Sequence, residues 1–356
     1  MRLLALDLGA SLRGGQKQTA FLLAELAGRG HAIRFIGRRA APLAECLRNR
    51  GIDVVEAPAG PEASPGLLLA VARAARLFLP DLVYAGDSRG HGAAVWSRAS
   101  AGCPLTVHRR VAFRPSGNPL SRVKYRAADR FLAVSGAVAA TLAEAGIDPS
   151  RVAVVPDGLP PEAFVEVPVP PAPPFRLVHV GAFDGRKGQD IAVETLARLV
   201  ARGHDATLLL LGSGPEQAAV AARARALGVA VRCHFAGEVD DVATRLAASH
   251  LLLLPSESEG APLALVEAMA AGCPVLAHAV GGIPELVAHG NAGRLVSSLG
   301  PEAWEAAVSD LLDDPAERLR LVRAGRAAAA TRTLSRTVAL VEAELEKALA
   351  GAGNTS

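Results

Sequence analysis

The sequence is poor in aromatic residues: 2 Trp, 2 Tyr and 9 Phe make up 4% of 356 residues. Any core must therefore be built mainly from Ala, Leu and Val. Half of the chain is apolar and 21% is charged, which is too apolar for a disordered protein. Cysteine is scarce as well. Cys46, Cys103, Cys233 and Cys273 lie 57, 130 and 40 residues apart, with no CxxC and no zinc spacing. That pattern points to reduced core thiols and a cytoplasmic protein. No run of 18 uncharged apolar residues occurs, so no transmembrane helix is expected. The first apolar stretch is short and broken by Asp7, and it reads as a buried strand rather than a signal peptide. A charge excess is missing too. The 38 basic and 35 acidic residues give net +3, which argues against a nucleic-acid partner.

What the chain does have is length for two domains and an uneven charge distribution. Residues 1–163 hold 21 basic and 13 acidic residues, net +8, whereas residues 164–356 hold 17 and 22, net −5. The first half is expected to meet something anionic. Short apolar runs at 3–8, 32–36, 82–85, 105–108, 130–134, 176–180, 207–211, 231–236, 250–254 and 274–278 read as buried strands. Amphipathic stretches such as 19–29, 137–145 and 191–201 lie between them. Such alternation predicts an α/β fold with parallel sheets covered by helices.

The chain also repeats itself. Leu23-Ala-Glu-Leu-Ala-Gly-Arg-Gly-His31 returns as Leu196-Ala-Arg-Leu-Val-Ala-Arg-Gly-His204, each copy before an apolar strand. Each reads as a helix end with Arg facing the dipole and Gly in a left-handed position, so two similar doubly wound halves are expected. Pro160, Pro161, Pro168, Pro170, Pro171, Pro173 and Pro174 crowd one stretch and read as a stiff linker. The expected organisation is a first domain at 1–163 and a second at 164–333. A final helix follows at 334–350, and the tail at 351–356 is expected to fray.

The strongest chemical signal is Pro255-Ser-Glu-Ser-Glu-Gly-Ala-Pro-Leu-Ala-Leu-Val-Glu-Ala-Met-Ala-Ala-Gly272, after an apolar strand. Pro262 suits a first helical turn, which puts Glu259 in the preceding loop and Glu267 inside the helix. Amides around Gly260, Ala261, Pro262 and Leu263 then form an anion-binding helix end. An acid beside such an end suits a ligand with hydroxyls and phosphates. Arg186 and Lys187 lie in a Gly-rich turn, where cations would stabilise a diphosphate leaving group. Gly14 and Gly15 fall in a turn after the first strand and allow close backbone approach. His108 ends a strand, where doubly wound folds place ligands. His31, His204, His278 and His289 read as structural. Residues 109–130 contain Arg109, Arg110, Arg114, Arg122, Lys124, Arg126 and Arg130 against Asp129 alone.

The stretch Glu259–Glu267, EGAPLALVE, resembles the signature of retaining GT-B glycosyltransferases of family 4. Further motifs resemble that family in order. They are the Gly14-Gly15 loop, Asp157-Gly158, Gly181 with Arg186-Lys187-Gly188, Gly212-Ser-Gly-Pro-Glu216, Gly237-Glu-Val-Asp-Asp241, and Ala271-Gly-Cys-Pro-Val275 with Gly281-Gly-Ile-Pro-Glu285. The resemblance implies a GT-B fold, two Rossmann-like domains facing a central cleft, with the last helix crossing back to the first. It implies transfer of a hexose-type sugar from a nucleotide diphosphate sugar, with retention, and without metal or cofactor.

By position, Glu259 would hydrogen-bond donor-sugar hydroxyls and Glu267 would hold the ribose. Val239 would line the base, and His108 would orient the sugar. The implied acceptor is lipid-linked or a glycan, as in cell-envelope polysaccharide or lipopolysaccharide assembly. The basic segment would then sit on the anionic inner face of the cytoplasmic membrane. One departure stands out: Ala182 follows Gly181 where many relatives have Arg. An epimerase of the same fold and a non-catalytic nucleotide-sugar binder remain alternatives. A dehydrogenase is disfavoured, because the nicotinamide fingerprint is missing.

Overall fold

A computed structural model of the chain describes residues 1–58, 60–100, 102–165 and 171–353. It contains two compact units, residues 1–158 together with 334–356, and residues 159–333. The division falls at Gly158/Leu159 rather than at 163/164. Pro168 and Pro170 of the expected linker lie outside the described residues.

In the N-terminal unit, β1 (Arg2–Asp7), α1 (Gly14–Gly28), β2 (Ala32–Arg38), α2 (Pro42–Asn49), β3 (Asp53–Ala57), α3 (Pro65–Phe78) and β4 (Leu82–Ala85) come first. They are followed by α4 (Ser88–Trp96), β5 (Leu105–Arg109), α5 (Pro119–Arg126), β6 (Arg130–Ala133), α6 (Gly136–Glu144) and β7 (Val152–Val154). The C-terminal unit begins with β8 (Phe175–Val180), α7 (Gln189–Ala201), β9 (Ala206–Leu211), α8 (Gln217–Ala226), β10 (Cys233–Gly237) and α9 (Val242–Ala247). It continues through β11 (Leu251–Leu254), α10 (Leu263–Ala271), β12 (Val275–His278), α11 (Ile283–Leu286), β13 (Arg294–Val296), α12 (Pro301–Asp313) and α13 (Pro315–Ala330). The last helix, α14 (Leu334–Gly353), packs on the N-terminal unit.

The sheets run β3-β2-β1-β4-β5-β6-β7 and β10-β9-β8-β11-β12-β13, and the strand pairs are parallel. Each reverses direction of winding next to its first strand, the doubly wound pattern that leaves a ligand-sized opening at the carboxyl ends. Central strands are covered on both faces, so they read as unbroken apolar runs: β11 is Leu-Leu-Leu-Leu, fully buried. The strands the sequence reading missed, β3, β7 and β13, are edge strands and half-exposed. An edge has no need of a continuous apolar run.

The repeat has a structural purpose. Gly30 and Gly203 take φ of +89° and +93° after α1 and α7. Arg29 and Arg202 are the C-cap residues of these helices, not part of their last turns. Instead of serving the dipole alone, each reaches a packed helix. Arg29 and His31 meet Glu342 of α14 at 2.7 and 2.6 Å. Arg202 meets Glu305 of α12 at 3.1 Å, and His204 meets Ser309 there at 2.9 Å. Arg130 pairs with Glu344, and Thr337 donates to the Pro156 carbonyl at 2.8 Å. Residue 351 onward was expected to be a frayed tail, but α14 runs to Gly353. No described helix is long and apolar enough to cross a membrane.

Candidate functional site

At the carboxyl end of the C-terminal sheet, three loops are locked to one another. The turn after β8 is held from beneath. Buried Gln189 donates from Nε2 to the Gly181 and Ala182 carbonyls at 3.3 and 3.0 Å. Buried His179 donates from Nε2 to the Lys187 carbonyl at 2.8 Å. Burial pushes the His179 pKa down to about 4, so the ring stays a neutral strut. Gly188, with φ of +72°, lies against the loop after β11: a Cβ there would stand 2.2 Å from the Pro255 oxygen. Gly281, after β12, is tighter still. Its φ is +56°, and a Cβ would stand 1.7 Å from the Glu259 oxygen. Only glycine allows these approaches.

This packing sets Lys187 beside Glu259, with Nζ 2.7 Å from Oε1. Glu259 is only 7% exposed, so the pair is a charge-assisted bond with little water around the carboxylate. Arg186 goes elsewhere: it is exposed, with its guanidinium 3.2 Å from Asp184. The two adjacent cations are therefore not side by side. Pro262 caps α10 with φ of −69° and ψ of 119°, and the helix begins one residue later than expected, at Leu263. Its first turn still offers amides that no helical carbonyl takes. Gly260 is buried, Ala261 and Leu263 are half-buried, and Glu267 sits half-buried in α10. Val239 follows β10 and packs against the core of its unit.

In the N-terminal unit the strand ends carry buried charge beside Gly9 and Gly86. Asp7, at the end of β1, is 1% exposed and accepts from the Gly9 amide at 3.0 Å, Gln16 Nε2 at 3.3 Å and Thr19 Oγ1 at 3.3 Å. Asp87, after β4, accepts from the Leu8 and Gly90 amides at 3.1 and 2.7 Å. Burial raises both carboxyl groups, and Asp7 further raises Asp87 to about 7. Arg110 reaches Asp157 at 3.2 Å and Thr19 at 3.1 Å. Burial works against this cation, but Asp157, Tyr84 and Asp7 outweigh that and hold it above its ordinary value.

His108 is 2% exposed. Its Nδ1 lies 2.8 Å from Tyr84 Oη and 3.1 Å from Arg110. Burial, and after it the Arg110 charge, holds it well below the usual histidine range. Gly14 and Gly15 form the first residues of α1 rather than a free loop, and a Cβ on Gly15 would stand 3.4 Å from Arg110 Cδ.

The basic segment is not one surface. Arg109 and Lys124 are buried; Arg109 donates to Tyr125 at 2.7 Å, and Lys124 is held by Glu62 at 2.8 Å. Arg114, Arg122 and Arg126 are exposed, among exposed Val111, Phe113, Leu120 and Val123. A cavity of about 720 Å³ opens in this unit beside the ends of β4 and β5, lined in part by Ser88, Trp96, Arg109, Arg114 and Lys124.

Two family models cover nearly the whole chain: glycosyl transferases group 1 over residues 162–328, and glycosyltransferase family 4 over residues 12–163. The chain belongs to the group 1 glycosyltransferases. N-acetyl-alpha-D-glucosaminyl L-malate synthase of Bacillus anthracis is 42% identical over 119 residues, 33% of this chain and 31% of that one. D-inositol 3-phosphate glycosyltransferase of Segniliparus rotundus is 35% identical over 211 residues, 53% of this chain and 46% of that one. These matches span about a third to a half of the curated relatives' length. The fold matches HepE of Anabaena, solved in complex with UDP and glucose. That match has a TM-score of 0.85 and 21% identity, over 98% of this chain and 100% of that one.

Within this glycosyltransferase, Lys187 and Glu259 are in contact, and Gly260, Ala261, Pro262 and Leu263 continue from them into α10. Arg186 and His108 are not part of that contact; His108 belongs to the N-terminal cluster. Sequence reasoning missed Asp7, Tyr84 and Asp87, named Asp157 only within a family motif, and took Arg110 only as one more surface cation. A usable signal was present: Asp7 interrupts an otherwise apolar central strand, and an acid there needs partners.

Proposed function

We propose that this glycosyltransferase moves a hexose-type sugar from a nucleotide diphosphate sugar to an acceptor hydroxyl with retention of configuration, without a metal. The observation that carries the reading is the 2.7 Å Lys187–Glu259 pair at the start of α10. A lysine has three donors, so holding Glu259 leaves others for a phosphate oxygen. The first amides of α10 add further positive ends. Together with Arg186 they stabilise the diphosphate as charge grows on it. Glu259, already ion-paired, is a poor nucleophile and acts on sugar hydroxyls instead. Glu267 holds the ribose, and Val239 lines the base.

In the reading that retention requires here, the acceptor oxygen attacks the anomeric carbon from the face the diphosphate leaves. The carbon–phosphate-oxygen bond breaks as the new glycosidic bond forms. The acceptor's proton passes to a donor phosphate oxygen.

The acceptor side belongs to the N-terminal unit. Arg114, Arg122 and Arg126, with Phe113 and Leu120 among them, support a lipid-linked acceptor reached at an anionic membrane surface. Such surfaces combine cations with apolar side chains that enter the headgroup layer.

Thermal shifts with UDP-, GDP-, ADP- and TDP-sugars test the donor. A ligand at 100 times its Kd adds about 2.7 kcal/mol, so one of the four should raise Tm clearly. Proton NMR of the product then reads the anomer. No shift with any donor would count against the reading, and an inverted product would remove the retaining mechanism. Vesicles with and without anionic lipid test the surface: equal binding to both would remove the membrane role.

A further inference from the structure

Arg110 carries an inference that no motif in the chain announces. A guanidinium donates hydrogen bonds and never accepts them. An imidazole nitrogen 3.1 Å from Arg110 must therefore present its lone pair. Tyr84 Oη lies 2.8 Å from the same atom, His108 Nδ1, and its hydroxyl can donate there too. With Nδ1 an acceptor, the proton of the neutral ring sits on Nε2. That nitrogen is buried and has no hydrogen-bond partner among the described residues. A buried N–H without an acceptor is expensive, and a ligand oxygen is the group that relieves it.

Arg110 is itself fixed. Its Nε lies 3.2 Å from each Asp157 carboxylate oxygen. One terminal nitrogen donates to Thr19 Oγ1 at 3.1 Å, leaving the other for His108. The groups that face the ring are Tyr84 from β4 and Arg110 beyond β5, with Asp157 and Asp7 behind Arg110 and Asp87 beside Asp7. The neighbour on β6 is Leu132, which does not titrate.

We propose that Arg110, anchored by Asp157, and Tyr84 are positioning residues that hold His108 in one tautomer, its Nε2–H a fixed donor to a hydroxyl of the transferred sugar. The role of the sugar hydroxyl rests on the transferase reading above. In this arrangement His108 cannot work as a base through Nε2, because that nitrogen already carries the proton. It does not gain a charge in mild acid either, because a second proton on Nδ1 would face the Arg110 cation. The sugar contact is therefore the same across the neutral range of pH.

The test uses the full chain with nitrogen-15-labelled histidine. In the wild type, long-range proton–nitrogen spectra should show His108 protonated on Nε2 alone and not titrating in mild acid. In Arg110→Gln the ring should lose its single tautomer and begin to titrate at higher pH. KM for the donor should rise about tenfold, while kcat changes much less. Arg110→Lys restores a donor to Nδ1 and should recover part of KM. Tyr84→Phe keeps the ring in the core and should show a smaller effect in the same direction, so a poorly folded Arg110 variant leaves the proposal testable.

A wild-type His108 protonated on Nδ1 would overturn the proposal. So would a folded Arg110→Gln with an unchanged tautomer. A shifted tautomer with unchanged kinetics would overturn it while leaving the transferase reading intact. Absence of transfer by the wild type, with the Nε2 tautomer observed, would strike that reading and not the positioning.

Discussion

Arg29 and His31 in one unit, and Arg202 and His204 in the other, make the same kind of bond to a helix packed beside them. The plans of the two units agree to that level of detail, yet their ligand-facing ends differ. The C-terminal unit brings backbone close through Gly188 and Gly281 and adds one ion pair. The N-terminal unit also brings Gly90 close to the end of β1, where a Cβ would stand 2.7 Å from the Leu6 oxygen, but it packs Asp7, Asp87, Arg110 and Asp157 beneath its strand ends. Backbone amides suit an anion that several strand ends and a helix end must approach, since they carry no side-chain entropy and no bulk. A buried side-chain network suits the orientation of one donor, the role proposed for His108. In the function proposed above, one doubly wound plan serves a binding end and an orienting end.

That contrast can be broken most sharply at Glu259. Glu259→Ala should lower kcat roughly 10²–10³-fold while nucleotide binding survives, read by initial rates and by thermal shift with the donor. Near-normal turnover would show that the ion pair is only structural. Gly281→Ala comes next. The added Cβ meets the Glu259 oxygen, and the positive φ is itself strained, so a loss on the order of 2–4 kcal/mol is expected in denaturant melts. A variant with unchanged midpoint would mean that close backbone approach is not what holds the C-terminal site.

A smaller effect separates the charged end from the glycine end by pH. Asp87 has its folded pKa raised to about 7 from the ordinary 3.8. The folded state therefore holds this proton more tightly than the unfolded state, and the stability so gained is complete below about pH 4 and lost as pH rises through 7. Asp87→Asn keeps an oxygen for the Leu8 and Gly90 amides and removes the titration. Its Tm should exceed the wild type's by more at pH 8 than at pH 5; an equal difference at both would show that Asp87 does not titrate in this range. The smallest effect is at the shared joint. Glu342→Gln should cost ~0.5–1 kcal/mol at low salt and less at high salt. A salt-independent loss would mean that Arg29 and His31 act there by packing.

Much of this was readable from residues alone. Residues of all ten expected strands are in strands, because central parallel strands must be apolar on both faces. The order EGAPLALVE after β11 located Glu259, and Gly281-Gly-Ile-Pro-Glu285 marked the loop that closes on it. Arg109 and Lys124 show where such reading stops. In sequence they belong to a run of cations, and only folding turns them inward onto Tyr125 and Glu62. Arg110 and Asp157 are 47 residues apart, and nothing in either neighbourhood names the other.

By itself the sequence determined the class of fold, the two-part plan and the family, because periodicity, glycine placement and motif order are local properties of the chain. Tertiary structure alone decided which charges are partners, and that Lys187 and not Arg186 holds Glu259. It also decided that Tyr84 and Arg110 both face Nδ1 of His108. The physical reason is that pairing and tautomer depend on distances between residues far apart in the chain, and burial sets the worth of each pair only once the core has closed around it.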